Sequence, residues 1–318
     1  MKRSKVLVVG ANGQLGSVLT EALRQQLGSN RVVATDIRMP VKDMGHFELL
    51  DILDKNQLIR LVRKYHISEV YHLAAILSAK GEENPKLAWD ININGLFNVL
   101  ELARERQLKL FFPSTIAVFG SHTPRQNTPQ ETIIHPETVY GISKAAGENW
   151  CQYYHLKFGV DIRSLRYPGI IGYQTMPGGG TTDYAVEIFH SAVKKEEYTC
   201  FLKPDTRLPM IYMPDAIRAT LELMQAPAEK IKVRTSYNLA SISFTPAEIA
   251  RAIQEYYPGF MVRYQPDFRQ TIAESWSETI DDSLARAQWG WQPEFDLEEM
   301  TRDMIDHLRK QYQKNIYV

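Results

Sequence analysis

The chain has 318 residues, and its 37 basic and 37 acidic side chains cancel to a formal net charge of zero with a pI near 7.1. No basic tract with interleaved aromatics occurs, which disfavours a nucleic-acid or anionic-membrane partner. No run of about 18 apolar residues occurs either, and the segment after Met1 enters a short apolar strand rather than a signal-peptide core, so a soluble, cytoplasmic protein is expected. The two cysteines, Cys151 and Cys200, have no metal-like spacing; buried thiols and no metal are expected.

Residues 5–9 read as a buried strand, and Gly10-Ala11-Asn12-Gly13-Gln14-Leu15-Gly16 then turns into a helix running to about Leu27. Glycines between a strand and a helix form a corner where backbone N–H groups and the helix N-terminus meet a pyrophosphate. The spacing is G-x-x-G-x-x-G: Gly10 for the tight turn, Gly13 for the approach of the phosphate, Gly16 for packing of helix on strand. Asn12, Gln14 and Leu15 fill the corner between them. For any one of these glycines, a merely tight turn remains the alternative.

A second strand, residues 31–35, ends at Asp36 with Ile37 beside it. An acidic side chain at this tip accepts hydrogen bonds from an adenosine ribose and repels a 2′-phosphate, which favours NAD over NADP; Arg38 reads as solvent-facing. Residues 48–52 look like a short third strand, with Asp51 and Ile52 where an adenine edge would lie. Asp51 reads equally well as the N-cap of a helix over about residues 55–65. Residues 69–75 form the fourth strand, whose tip, Leu73, Ala74 and Ala75, leaves room for a dinucleotide. His72 reads as a core histidine. Ser78 follows in a loop, and Asn84-Pro85 starts a helix carrying Asn92 and Asn94. Asn94 either holds a group near the cofactor or faces solvent.

The fifth strand, residues 108–112, ends in Pro113-Ser114-Thr115. Hydroxyls just beyond the carboxyl end of a central strand lie on the ligand side of an open α/β sheet, so either Ser114 or Thr115 is placed to donate to a substrate oxygen. Tyr140-Gly141-Ile142-Ser143-Lys144 comes some 25 residues later. If helical, this stretch stacks the Tyr140 phenol and the Lys144 ammonium on one face. A phenol of reference pKa about 10 is protonated at neutral pH. A nearby cation lowers an acid by roughly 1–3 units, and a bound oxidised nicotinamide adds a second positive charge. Alone the pattern is common on amphipathic helices. A sixth strand, residues 160–167, breaks at Pro168-Gly169, with Tyr167, Pro168 and Ile170 placed beside the cofactor.

Five strand-helix alternations predict a doubly wound parallel sheet of Rossmann type, with a smaller C-terminal mixed domain. The boundaries expected are 1–170 plus about 209–240 for NAD binding, and 171–208 plus 241–318 for substrate binding. Gly178-Gly179-Gly180 gives a loop that can hinge, and Thr181-Thr182-Asp183 caps a helix over about residues 184–193, whose N–H groups could meet a carboxylate. An ordinary capped loop fits the same composition. Residues 208–213 look like a returning strand, Thr245-Pro246-Ala247-Glu248 is a helix-capping pattern, and an amphipathic helix closes the chain over about residues 297–312. Trp276, Trp289 and Trp291 read as core or subunit contacts.

The glycine corner, Asp36, Thr115 and the Tyr140/Lys144 pair together resemble the extended form of the short-chain dehydrogenase/reductase superfamily, over nearly the whole chain. More narrowly, residues 177–185, 208–215, Asp281-Asp282-Ser283 and Trp289-Gly290-Trp291 resemble the short-chain type of L-threonine 3-dehydrogenase. Two departures are visible: Ser277 follows Trp276 where that family is expected to carry proline, and Pro168-Gly169 stands where sugar-nucleotide members usually carry an asparagine. The resemblance implies oxidation of the L-threonine 3-hydroxyl by NAD to 2-amino-3-oxobutyrate, with Tyr140 as base and Lys144 holding it ionised and bonding the nicotinamide ribose. It further implies that Thr115, with Ser114, fixes the substrate oxygen. On the same resemblance, Ser78, Gly178, Gly179, Thr181 and Thr182 are expected to receive the amino acid's charged ends, and a homodimer is expected because the family usually forms one. The rival on the same scaffold is a nucleotide-sugar epimerase or dehydratase. A redox-sensing dinucleotide binder without chemistry is a second rival, opposed by the intact Tyr140/Lys144 pair.

Overall fold

The computed structural model describes residues 5–40, 45–178 and 180–316. The chain divides into two compact units: residues 1–118, 136–166 and 217–237 form the first, and residues 119–135, 167–216 and 238–318 the second. In chain order it begins β1 (Lys5–Val9), α1 (Gln14–Leu27), β2 (Val32–Asp36), β3 (Phe47–Leu49), α2 (Lys55–Tyr65) and β4 (Ile67–His72). Then come α3 (Ser78–Glu83), α4 (Pro85–Trp89), α5 (Gly95–Arg106), β5 (Lys109–Thr115), α6 (Val139–Phe158) and β6 (Ile162–Tyr167). β7 (Gly169–Ile171), α7 (Tyr184–Lys194), β8 (Tyr198–Cys200), β9 (Leu208–Tyr212), α8 (Met213–Gln225) and β10 (Tyr237–Asn238) follow. The chain ends with β11 (Ile242–Phe244), α9 (Pro246–Gln254), β12 (Val262–Tyr264), α10 (Arg269–Glu274), α11 (Ser283–Trp289) and α12 (Leu297–Ile316).

The central sheet has seven strands in the order β10-β6-β5-β4-β1-β2-β3. β1 pairs in parallel with β2 and β4, and the strand order reverses direction there, which puts the ligand edge of the sheet beyond the carboxyl ends of β1 and β4. β1 sits in the middle because its Val-Leu-Val-Val run is buried on both faces, as a parallel strand covered by helices requires. Leu7, Val9, Val70, Leu110 and Phe112 from the strands pack with Leu58, Leu96, Leu100 and Tyr154 from the helices in one contiguous core. The third strand is shorter than its apolar pattern predicts. Asp51 accepts from the Leu53 N–H at 2.9 Å and turns the chain. Asp54 rather than Asp51 caps α2, accepting from the Gln57 N–H at 2.8 Å. The helix expected from Asn84 is broken into α4, a π-helical stretch Asp90–Asn94, and α5.

In the second unit β9 lies antiparallel to β11 and parallel to β7, and β8 pairs with β12. Residues 119–135 belong here rather than with the sheet. Asn127 N–H donates to Thr279 Oγ1 at 2.6 Å, the Thr128 hydroxyl bonds Ser277 Oγ at 2.6 Å, and Arg125 pairs with Glu278. Ser277 is fully buried, so this hydroxyl pair occupies the position where the resemblance leads one to expect proline. Residues 119–135, 167–170, 209–216 and 238–240, expected with the sheet, thus cluster with the second unit. Trp276 and Trp291 are core residues, the latter donating Nε1–H to the Ala240 carbonyl at 3.1 Å. Cys151 and Cys200 are buried free thiols. Among the described residues no helix is long and apolar enough to cross a membrane, and no group of three His, Cys, Asp or Glu side chains is arranged to hold a metal.

Candidate active site

The glycine corner follows β1. Gly10 has φ +87°, and a Cβ there would stand 2.7 Å from the Ala74 nitrogen; at Gly16 it would stand 2.1 Å from the Gly10 oxygen. Both positions exclude any side chain, because the turn packs against the tip of β4 and α1 packs against the turn. Leu73, Ala74 and Ala75 form that tip, tied to β1 by the Leu73 N–H to Val9 carbonyl bond at 2.8 Å. Gly13 is different: a Cβ there would make only an ordinary 3.4 Å contact, so packing does not demand a glycine. It is exposed at the N-cap of α1, where no side chain caps the helix, with exposed Gln14 and half-buried Leu15 following. A bare, outward-facing backbone at the positive end of a helix fits a pyrophosphate.

Asp36 ends β2, and its carboxylate accepts from the Asn12 N–H at 3.0 Å and, more weakly, from the Arg38 N–H at 3.4 Å, while Asn12 Nδ2 donates to the Arg38 carbonyl at 2.7 Å. The acid therefore stands beside the glycine corner, partly exposed, in a position suited to a ribose. Ile37 and Arg38 are exposed. Asp51 is exposed and occupied in its turn, whereas Ile52 is buried against Gly95, and its carbonyl accepts from Asn98 Nδ2 at 2.9 Å. Asn94 is exposed and bonded to Asp90 at 2.9 Å, so the solvent-facing alternative holds for it. The buried asparagine is Asn92: it clasps the Ile76 backbone through both its oxygen (2.8 Å) and its nitrogen (3.0 Å) and donates to Ser143 Oγ at 3.0 Å. Ser143 Oγ donates in turn to the Tyr140 carbonyl at 2.8 Å. The sequence offered two asparagines two residues apart; only the π-helical stretch decides which one turns inward.

Tyr140 and Lys144 stand one turn apart in the first half of α6, whose N-cap Thr138 accepts from the Gly141 N–H at 3.1 Å. The Thr115 hydroxyl accepts from the Ala117 N–H at 3.2 Å, which orients it, and it stands on the Tyr140 side of β5, where it favours the ionised phenol. Ser114 does not share this role. Successive strand side chains point to opposite faces, and Ser114, 2% exposed, donates to Glu148 Oε1 at 2.5 Å. The choice between the two hydroxyls thus falls to Thr115. Lys144 is 4% exposed; its ammonium donates to the Pro113 carbonyl at 2.7 Å, lies 4.6 Å from the Phe112 ring centroid and 5.7 Å from that of Tyr140.

These surroundings reverse the direction expected for the phenol. Burial of its hydroxyl pushes the Tyr140 pKa up to about 12, with the Thr115 hydrogen bond pulling it down, while burial draws Lys144 down to about 8. Lys144 points to Pro113 rather than at the phenol oxygen, and so burial outweighs it. His72, on the neighbouring strand, is pushed down to about 3 by burial and by the Lys144 charge, and its Nδ1 has no hydrogen-bond partner.

Tyr167 is buried at the end of β6, Pro168 is buried after it, and Ile170 is half-buried in β7. Gly178 is exposed with open space around it, and Thr181 is buried. Thr182 packs its methyl against Gly169, where a Cβ would come within 2.7 Å. Asp183 does not cap α7 through its side chain; its carboxylate accepts from the Gly180 N–H at 2.7 Å instead. Ser78 opens α3, but its side chain, like the whole of Gly179, lies outside the described residues.

Residues 6–240 match the NAD dependent epimerase/dehydratase family. The chain is 48% identical over 311 residues to an uncharacterized epimerase/dehydratase of Staphylococcus aureus (strain USA300), covering 96% of this chain and 97% of the relative. Among solved structures it is similar to the holo form of a GalE-like L-threonine dehydrogenase from Cupriavidus necator, with 55% identity, TM-score 0.94, and 96% and 99% of the two chains covered. It is also similar to the apo form of a monomeric L-threonine 3-dehydrogenase from a metagenome, with 47% identity, TM-score 0.94, and the same shares covered.

Proposed function

The chain belongs to the NAD dependent epimerase/dehydratase family, and on that premise we propose that it oxidises the 3-hydroxyl of L-threonine to 2-amino-3-oxobutyrate. NAD, when bound, supplies the acceptor for the hydride that leaves the substrate carbon. The observation that carries the reading is the Lys144 ammonium, buried 5.7 Å from the Tyr140 ring and anchored on the Pro113 carbonyl at the carboxyl end of β5. Tyr140, in its phenolate form, takes the hydroxyl proton and becomes the neutral phenol, while the hydride leaves the same carbon for NAD and Thr115 holds the substrate oxygen. Lys144 supplies positive charge next to a phenol that burial alone keeps protonated. Gly10, Gly13 and Gly16 with Gln14 and Leu15 receive the pyrophosphate, Asp36 reads the ribose, and Leu73, Ala74 and Ala75 line the path between. Ser78, Gly178, Thr181 and Thr182 are proposed for the amino acid's charged ends.

The test mixes purified protein and NAD with L-threonine or with UDP-sugars. NADH appearing with threonine supports the assignment; turnover of the sugars without threonine oxidation defeats it. We further propose that the chain works in the cytoplasm, in threonine breakdown, as a homodimer. Ile142, Trp150, Tyr153 and Leu156 of α6 leave an apolar stripe exposed, Leu156 to 74%. Sedimentation at micromolar concentration checks the dimer, and a monomer throughout would rule it out.

A further inference from the structure

The last three residues of β5 each meet a different residue of α6. The Pro113 carbonyl accepts from Lys144 Nζ at 2.7 Å, Ser114 Oγ donates to Glu148 Oε1 at 2.5 Å, and Thr115 stands beside the Tyr140 side chain. Positions 140, 144 and 148 fall one turn apart on a single helix face. Glu148 is 2% exposed and is gripped from the other side by Arg166 of β6, Nε to Oε1 at 2.9 Å and Nη2 to Oε2 at 2.7 Å. Burying such a pair gains little stability over an apolar core, while removing one partner alone is costly. Its retention beside the reacting groups calls for a purpose other than stability.

We propose that Glu148 is a positioning residue that acts through Lys144: gripped by Ser114 and Arg166, it sets the register of α6 on β5 and gives the buried ammonium its anionic neighbour. This rests on the reading of Tyr140 and Lys144 given above. The groups that face Lys144 are Tyr140, Glu148 and Cys151 on α6, His72 on β4 and the Phe112 ring on β5, with Arg166 behind Glu148. Burial pushes the Cys151 thiol far up, so it carries no charge at neutral pH, and His72 is likewise neutral. Glu148, paired with Arg166, is the anion of that set, and it opposes the burial that draws Lys144 downward.

The experiment measures the titration midpoint of Lys144 from the pH dependence of its 13Cε NMR shift in lysine-labelled full chain, assigned by the signal lost in Lys144→Met, in wild type and Glu148→Gln. The Gln keeps an acceptor for Ser114 and Arg166. Because a lone buried Arg166 can prevent folding, Glu148→Gln/Arg166→Met, which removes both charges, is measured alongside. The midpoint is expected to fall by about one pH unit in either variant, and kcat for NADH formation to fall about 10-fold at neutral pH with the KM for threonine within about twofold. Ser114→Ala, which keeps the charges, is expected to lower kcat with the Lys144 midpoint unmoved. A midpoint unchanged in whichever charge variant folds overturns the proposal. The NMR titration needs no turnover, so wild-type protein that fails to oxidise threonine refutes the substrate assignment and leaves this result standing.

Discussion

Gly141→Ala places the sharpest demand on the α6–β5 contact. A Cβ at residue 141 would stand 2.1 Å from the Ala117 oxygen and 2.9 Å from the Pro136 side chain, where real Cβ contacts essentially never fall under 3.0 Å. The first turn of α6 must therefore retreat by about 1 Å, and Tyr140, the preceding residue, goes with it, away from Thr115. Overpacking of this kind costs about 1–3 kcal/mol, which for a protein of this size lowers Tm by roughly 1.5–5 °C. A displacement of about 1 Å at a reacting group costs on the order of 100-fold in rate. The assay is thermal melting together with kcat for threonine-dependent NADH formation. Gly159→Ala is the control: it sits at the far end of α6 with φ +69° and nothing within 4 Å of an added Cβ. It is expected to lose about 1 kcal/mol through backbone strain with kcat unchanged. A Gly141→Ala enzyme with wild-type Tm and kcat within about threefold would refute the reasoning.

Three further outcomes are expected. Asp36→Ala raises the affinity for NADP relative to NAD, measured as the ratio of kcat/KM for the two cofactors; an unchanged ratio means the ribose is read elsewhere. His72 has a folded-state pKa depressed to about 3 from 6.5, so the unfolded chain binds more protons between those values and stability falls as pH drops from about 6.5 toward 3. The slope from this group is at most about 1.4 kcal/mol per pH unit. His72→Leu is expected to flatten that part of a denaturant-midpoint profile, and an identical acid slope in both proteins would contradict the burial of a neutral ring. Ala substituted at Asn94 is expected to leave kcat near wild type, while Asn92→Ala, which frees the Ile76 backbone and Ser143, lowers it.

The sheet was legible in the sequence because its strands are short apolar runs punctuated by glycine, acid or proline, and parallel order follows from the intervening helices. The glycine corner was legible for the same reason: Gly10 and Gly16 are fixed by steric contacts that the strand-turn-helix pattern implies. What was not legible depends on direction. Thr115 and Ser114 are adjacent hydroxyls, and only the pleat of β5 sends one to Tyr140 and the other to Glu148. Asn92 and Asn94 both lie in the π-helical stretch, which no residue pattern announced. The transfer of residues 119–135 to the second unit rests on contacts with residues 276–280, some 150 positions away. The pKa of Tyr140 required the depth of its burial, for which the Tyr140/Lys144 spacing offers no measure.

The central claim is that one phenol oxygen takes the substrate proton, and Tyr140→Phe tests it most directly by deleting that oxygen alone. With NAD and L-threonine, the account predicts that kcat falls by at least about 100-fold, with NAD binding by calorimetry kept within about twofold. Threonine oxidation persisting near the wild-type rate would contradict it.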